Sequence, residues 1–366
     1  MASPPPRVLG VELDDCCEGR LLGQAHSSDC PRFGLQNVRC ARDEEVAMAL
    51  QAAELERASS PEERLRAPLT YTMGDPVWGE VVSNQEPTCG FKLAFSCCPC
   101  LVVGCRSPDA KRAWRTFLCS VSFILSVIQV LILVMVIILD GGMVSYEENP
   151  MFGPHFHRLD AAGAKNAAKI VYQGQWWRLA SATMLHAGWL HLAGNLLVQI
   201  RTGVQLEVMW GAPAWLVIYF VSGIYANLLS CVLHPEVLGV GASGCLCGLI
   251  GGWLSFLFIT WNQTMPGDVR MRNAQISSVL VSIVLIILFS FMPLMDIAAH
   301  VGGLAMGAGI AMAIFGNRLQ DKVFRWATIS AGICVVVVML VVTIILFVTT
   351  TQIPDYLLEL CQRPNC

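Results

Sequence analysis

Charge is scarce in this chain. Asp, Glu, Lys and Arg make up 14% of its 366 residues, against roughly 25% in an average soluble domain. Residues 117–139, 214–233, 243–265, 274–295 and 327–349 contain none of the four, and neither does 297–316, which holds His300. A bilayer crossing takes about 20 apolar residues. The net charge is −3 with no basic stripe to track a phosphate backbone, so nucleic acid is not an expected partner. An early basic patch followed by an apolar core is also missing, so no signal peptide is expected. No inverted repeat is evident, which leaves a transporter or channel without support.

Apolar surface is abundant instead. Hydrophobic residues make 55% of the chain and the mean hydropathy is +0.57. With a weaker stretch at 190–209, broken by Arg201 and Glu207, the sequence predicts seven spans. The expected fold is therefore all-α: a polytopic membrane helix bundle of seven transmembrane helices. Three regions are expected. Residues 1–116 form a polar, Pro- and Gly-rich cytosolic tail, largely disordered apart from a helix at 43–58 with Asp43 as its N-cap. Residues 117–316 form a six-helix core. Residues 317–366 hold a cytosolic loop, the seventh helix and a short terminus.

Lys111, Arg112 and Arg115 precede the first span and put the N-terminus in the cytosol. Alternation makes the loops at Arg270 and Arg272, and at Arg318, Lys322 and Arg325, cytosolic as well. The first loop, 141–188, and the C-terminus then face the lumen or exterior, in the secretory pathway or at the plasma membrane.

Of sixteen cysteines, nine precede the first span, on the reducing side where disulfides are rare. Cys97, Cys98, Cys100 and Cys105 lie among Phe91, Phe95, Leu101 and Val102, a setting suited to S-palmitoylation; ordinary thiols are the plainer reading. Cys97 and Cys100 make one CxxC without the second pair a zinc site needs, so no metal is expected. Cys361 and Cys366, in the oxidising compartment, are placed to pair.

Polar side chains inside a span are costly and point to function. His191 and Asn195 open span two, Ser243 opens span four and His300 opens span six. All three spans run inward, so the four residues share one depth just below the outer surface. Gly241-Ala242-Ser243-Gly244 puts a serine at a helix N-terminus, where free amides and the dipole favour an oxyanion. Alone this motif also suits plain helix packing, and Cys245 stands where a G-x-S-x-G elbow would have glycine. His300 alone is equally compatible with an interfacial histidine. It is followed by small residues Gly303, Gly307 and Ala311, while Gly244, Gly248 and Gly252 line span four. Two such ridges permit close approach and would bring His300 to Ser243 as its base. His191 and Asn195, four apart, share a helix face; they suit an oxyanion hole or a structural pair. Glu207 reads as a buried structural acid.

With Trp177-Arg178, His186, His191-Leu-Ala-Gly-Asn195, Gly203, Glu207, Gly241-Ala-Ser243-Gly244 and Asp296-Ile-Ala-Ala-His300-Val-Gly-Gly303 in this order, the chain resembles the rhomboid family over roughly 117–316. The span after His300 is similar to the six-plus-one form of eukaryotic secretory-pathway rhomboids. The resemblance implies a cofactor-free intramembrane serine protease cutting single-span membrane proteins in or near their transmembrane segments. In it Ser243 is the nucleophile and His300 the general base. His191, Asn195 and the Ser243 amide hold the oxyanion. Trp177, Arg178, Glu207, Gly241, Gly244, Gly303 and Gly307 are structural, with Arg178 anchoring the first loop. Its partners are transmembrane substrates and the lipid bilayer. One position departs: Cys247 stands where family members carry a ring against the histidine. The alternative is a catalytically inactive relative that binds membrane clients and regulates their trafficking; such relatives usually lose the serine or histidine or gain a proline beside the serine, and here Ala242 precedes Ser243.

Overall fold

A computed structural model describes residues 114–261, 269–290 and 296–350. The expected helix at 43–58, the cysteines at 97, 98, 100 and 105, and the Cys361–Cys366 pair lie outside them. Every regular element among the described residues is helical apart from one isolated β-bridge.

Helix α1 (Val121–Leu139) starts four residues later than the apolar run, because Ser120 caps it: the Ser120 Oγ accepts from the Phe123 N–H at 3.1 Å. The first loop carries three short helices, α2 (Phe156–Ala162), α3 (Ala167–Gln173) and α4 (Arg178–Ser181). Its pieces are joined by ion pairs and caps rather than by a large core. At its start Asp140 accepts from the His155 N–H at 2.7 Å and from Arg158 Nε at 3.1 Å. Burial would raise the Asp140 carboxyl, but the hydrogen bonds and charge of His155, with Arg158, outweigh it and hold it below its ordinary value.

The weak second span is three helical pieces end to end. These are α5 (Trp189–Val198), a π turn (Gln199–Gly203) and α6 (Val204–Trp210). The widened turn sits where Gln199 meets α1. Its amide nitrogen donates to Ser126 Oγ at 2.9 Å and Gln129 Oε1 at 3.2 Å, and its oxygen accepts from the Tyr219 hydroxyl at 2.8 Å. A glutamine buried in a bundle is tolerable only when so paired.

Then follow α7 (Ala212–Leu233), α8 (Ser243–Thr260), α9 (Val269–Ser290), α10 (Ile297–Phe315) and α11 (Lys322–Thr350). Helix α11 starts ahead of its apolar run, since Asp321 Oδ1 accepts from the Val323 and Phe324 amides. Five helices are long and apolar enough to cross a membrane: Val121–Leu139, Ala212–Leu233, Ser243–Thr260, Ile297–Arg318 and Lys322–Thr349. Two of the seven expected spans do not meet that measure among the described residues. One is the divided second span. The other is α9, whose described apolar run is the shorter Gln275–Val284. The protein is a multi-helix membrane bundle.

Its centre is α8. Trp253 on α8 and Trp215 and Tyr219 on α7 are fully buried, and the last two rings stack with centroids 4.6 Å apart. In contrast α11 leaves most of its apolar side chains exposed, as a helix facing lipid does.

Candidate active site

The packing of α8 on α10 sets the site. A methyl on Gly303 would lie 2.2 Å from the Gly244 carbonyl oxygen, and one on Gly307 2.0 Å from that of Gly248. Backbone rests on backbone, the contact small residues exist to permit. The α8 glycines differ in what they face. Methyls on Gly244 and Gly248 would meet Ala226 and Ser222 of α7 at 2.6 and 2.2 Å, so this ridge is a three-helix junction. Gly252 is less confined: a methyl there would meet the Trp210, Ile218 and Ala311 side chains at 3.3–3.5 Å, tight at Trp210 but with no backbone in the way.

The register of these contacts fixes direction. Gly244 meets Gly303 and, one turn on, Gly248 meets Gly307, so α8 and α10 run parallel. Their N-termini share one end of the bundle, where Ser243 is the first residue of α8 and His300 sits in the first turn of α10. His300 is buried and Ser243 half-buried. The Ser243 and Gly244 amides, in the first turn, have no carbonyl partner within their helix.

Helix α5 closes the other side. Gly241 has φ +124°, a region that favours glycine, and a methyl there would sit 2.8 Å from Cε1 and 2.9 Å from Nε2 of His191 and 3.7 Å from Asn195 Nδ2. His191 and Asn195 are buried, with Asn195 Nδ2 donating to the His191 carbonyl at 3.0 Å. The His191 Nε2 has no hydrogen-bond partner among the described residues. It is an unspent polar atom beside the loop that leads into Ser243. The His186 ring packs edge-on against it at 5.4 Å. Burial, then the neighbouring His191, hold His186 well below its ordinary value.

The first loop grips this serine-bearing segment. The Gly241 N–H donates to the Ala182 carbonyl at 2.9 Å, and Gly239 pairs with Lys165 in the isolated bridge at 2.8 and 3.1 Å. Arg178 organises the loop: Nη1 donates to the Asp160 and Ala164 carbonyls at 2.7 and 2.8 Å, and Nε to Gln175 at 2.6 Å. The neighbouring Trp177 ring is half exposed, with the Arg178 guanidinium 5.0 Å from its centroid.

Glu207 lies away from the serine, at the start of α1, where it accepts from the Val121 and Ser122 amides at 2.8 and 3.0 Å and from the Ser122 hydroxyl at 3.1 Å. Cys247 is fully buried on α8. Lys165 and Ser230 carry no motif, and Lys165 is one of several charged residues in the first loop, with Arg158, Asp160, Lys169 and Arg178.

Residues 173–317 match the Rhomboid domain family. Over those residues the chain is similar to a rhomboid domain. The match takes in α4 to α10 and leaves α1 and most of the first loop outside. RHOMBOID-like protein 7 of Arabidopsis thaliana is 36% identical over 159 residues, 43% of this chain and 49% of that protein. RHOMBOID-like protein 2 of the same plant is 37% identical over 161 residues, 44% and 49% of the two chains. Rhomboid-like protease 2 of Toxoplasma gondii is 34% identical over 179 residues, 49% and 60%. The chain thus spans roughly half the length of the curated relatives it matches.

Proposed function

We propose that this chain is an intramembrane serine endopeptidase, cutting single-span membrane proteins within or beside their transmembrane segments. The observation that carries the reading is the parallel, glycine-to-carbonyl contact of α8 and α10, with Ser243 and His300 at its open end. In the reaction His300 takes the Ser243 hydroxyl proton as Oγ attacks the scissile carbonyl carbon. The oxygen that becomes negative is held by the Ser243 amide, His191 and Asn195. His300 then returns the proton to the leaving amine. A water, deprotonated by the same histidine, hydrolyses the acyl-enzyme and restores Ser243. These steps need no cofactor.

The wider setting belongs to the same proposal. Seven spans arranged six-plus-one, with α11 as the added helix, leave residues 1–116 cytosolic and the C-terminus luminal or extracellular. The site then opens near the outer leaflet, where a substrate helix can unwind into it.

The test is cleavage of a co-expressed panel of type I membrane proteins, with product sites mapped. Ser243→Ala and His300→Ala should each abolish product while the protein stays folded and inserted, and the double variant should be no worse, because the two act as a unit. Equal product from wild type and Ser243→Ala overturns the protease reading in favour of a client-binding relative.

A further inference from the structure

Lys165 takes no part in the steps above, yet its side chain is fully buried, an expensive place for an amine. Burial pulls it below its ordinary value, against Cys231 and Asp296. Its main chain pairs with Gly239, four residues ahead of Ser243, and its stem lies across that glycine, where a methyl would come 3.1 Å from Cε. Its Nζ donates to Ser230 Oγ at 2.6 Å and to the His234 carbonyl at 3.2 Å, both at the end of α7. The Ser230 hydroxyl donates in turn to Oδ2 of Asp296, which is 3.9 Å from Nζ. Asp296 is the N-cap of α10: its Oδ1 accepts from the Ala299 amide at 3.1 Å and its carbonyl from the His300 amide at 3.2 Å.

The main chain of one residue therefore holds the segment leading to Ser243. Its side chain, through a single hydroxyl, holds the cap of the helix that presents His300. We infer that Lys165, Ser230 and Asp296 form a strut that sets the spacing between Ser243 and His300, with Lys165 as a positioning residue; this rests on the Ser–His reading above. Neither end of the strut needs the other for its own local fold. Asp296 caps α10 with the oxygen that faces away from Ser230, and the Gly239 pairing uses only main-chain atoms. What the side-chain link adds is a second tie between two elements already joined by the Gly244–Gly303 backbone contact. Positioning of this kind matters because a misplacement of about 1 Å can cost on the order of 100-fold in rate.

The test uses the full chain in detergent micelles and a fluorophosphonate probe. Such a probe bonds phosphorus to an activated serine oxygen as fluoride leaves and the hydroxyl proton passes to the base. Wild type should be labelled at Ser243 and Ser243→Ala should not. Lys165→Met, Ser230→Ala and Asp296→Asn, the last keeping an oxygen for the cap, should each slow the limiting labelling rate about tenfold or more at unchanged probe affinity. Lys165→Met combined with Asp296→Asn should be no slower than the worse single variant, since members of one link do not add. Melting midpoints identify folded variants; if Lys165→Met does not fold, Ser230→Ala and Asp296→Asn carry the test. Wild-type rates in folded variants, or losses that multiply in the double, overturn the strut and leave the protease reading standing. A wild-type Ser243 that takes no label and cuts no client overturns both.

Discussion

Gly303 rests on the carbonyl of Gly244, so closely that one added methyl would lie 2.2 Å from the oxygen. The two helices cannot separate there without moving Ser243 and His300 apart. Gly303→Ala should therefore destabilise the protein by about 1–3 kcal/mol, the usual cost of overpacking, and lower cleavage per folded molecule. Gly252→Ala, whose methyl would meet side-chain carbons at 3.3–3.5 Å rather than backbone oxygen, should cost less in both. Thermal midpoints and cleavage rates in detergent check the pair, and equal behaviour would mean the contact has slack.

His191 offers an unspent Nε2 beside Gly241. If it binds the oxyanion, His191→Ala should lower kcat by about 100- to 1,000-fold with little change in KM. An effect confined to KM would make it a substrate contact instead.

Glu207 takes three hydrogen bonds from the start of α1. Removing it leaves two part-buried amides without their acceptor, a cost of about 1–3 kcal/mol. Glu207→Ala should lower the melting midpoint while cleavage per folded molecule stays unchanged. A loss of kcat at full stability would move Glu207 into the chemistry.

His186 predicts an acid sensitivity. Its folded value lies well below 6.5 through burial, while an unfolded histidine titrates near about 6.5. Below that pH the unfolded chain binds the proton that the folded chain refuses, so stability is full above it and falls as pH falls. The melting midpoint should drop between pH 7 and pH 5, and drop less in His186→Phe, which keeps an edge-on ring. Parallel curves would show that another group controls the slope.

Much of this was legible in the sequence because bilayers impose simple rules. Charge-free runs located α1, α7, α8, α10 and α11 to within a few residues, and the four-residue spacing of Gly303 and Gly307 announced the close contact. What the runs could not give was anything made by distant side chains. The start of α1 depends on Ser120 and on Glu207, 86 residues from Val121. The two-sided use of Gly244 and Gly248 depends on where α7 lies. The Lys165 network joins a loop, a helix end and a cap, and no local pattern encodes such a meeting.

The π turn at Gln199–Gly203 has one more consequence. A π turn takes in one residue more than an α turn, so everything after it is rotated by about 100° relative to an unbroken helix. The N-terminal half of the second span points His191 and Asn195 at the serine loop, and the C-terminal half points Glu207 at the start of α1. The turn works as a phase shift between two gears on one shaft. Deleting a single residue from it would leave composition and hydropathy almost untouched, yet one of the two halves would lose its partner.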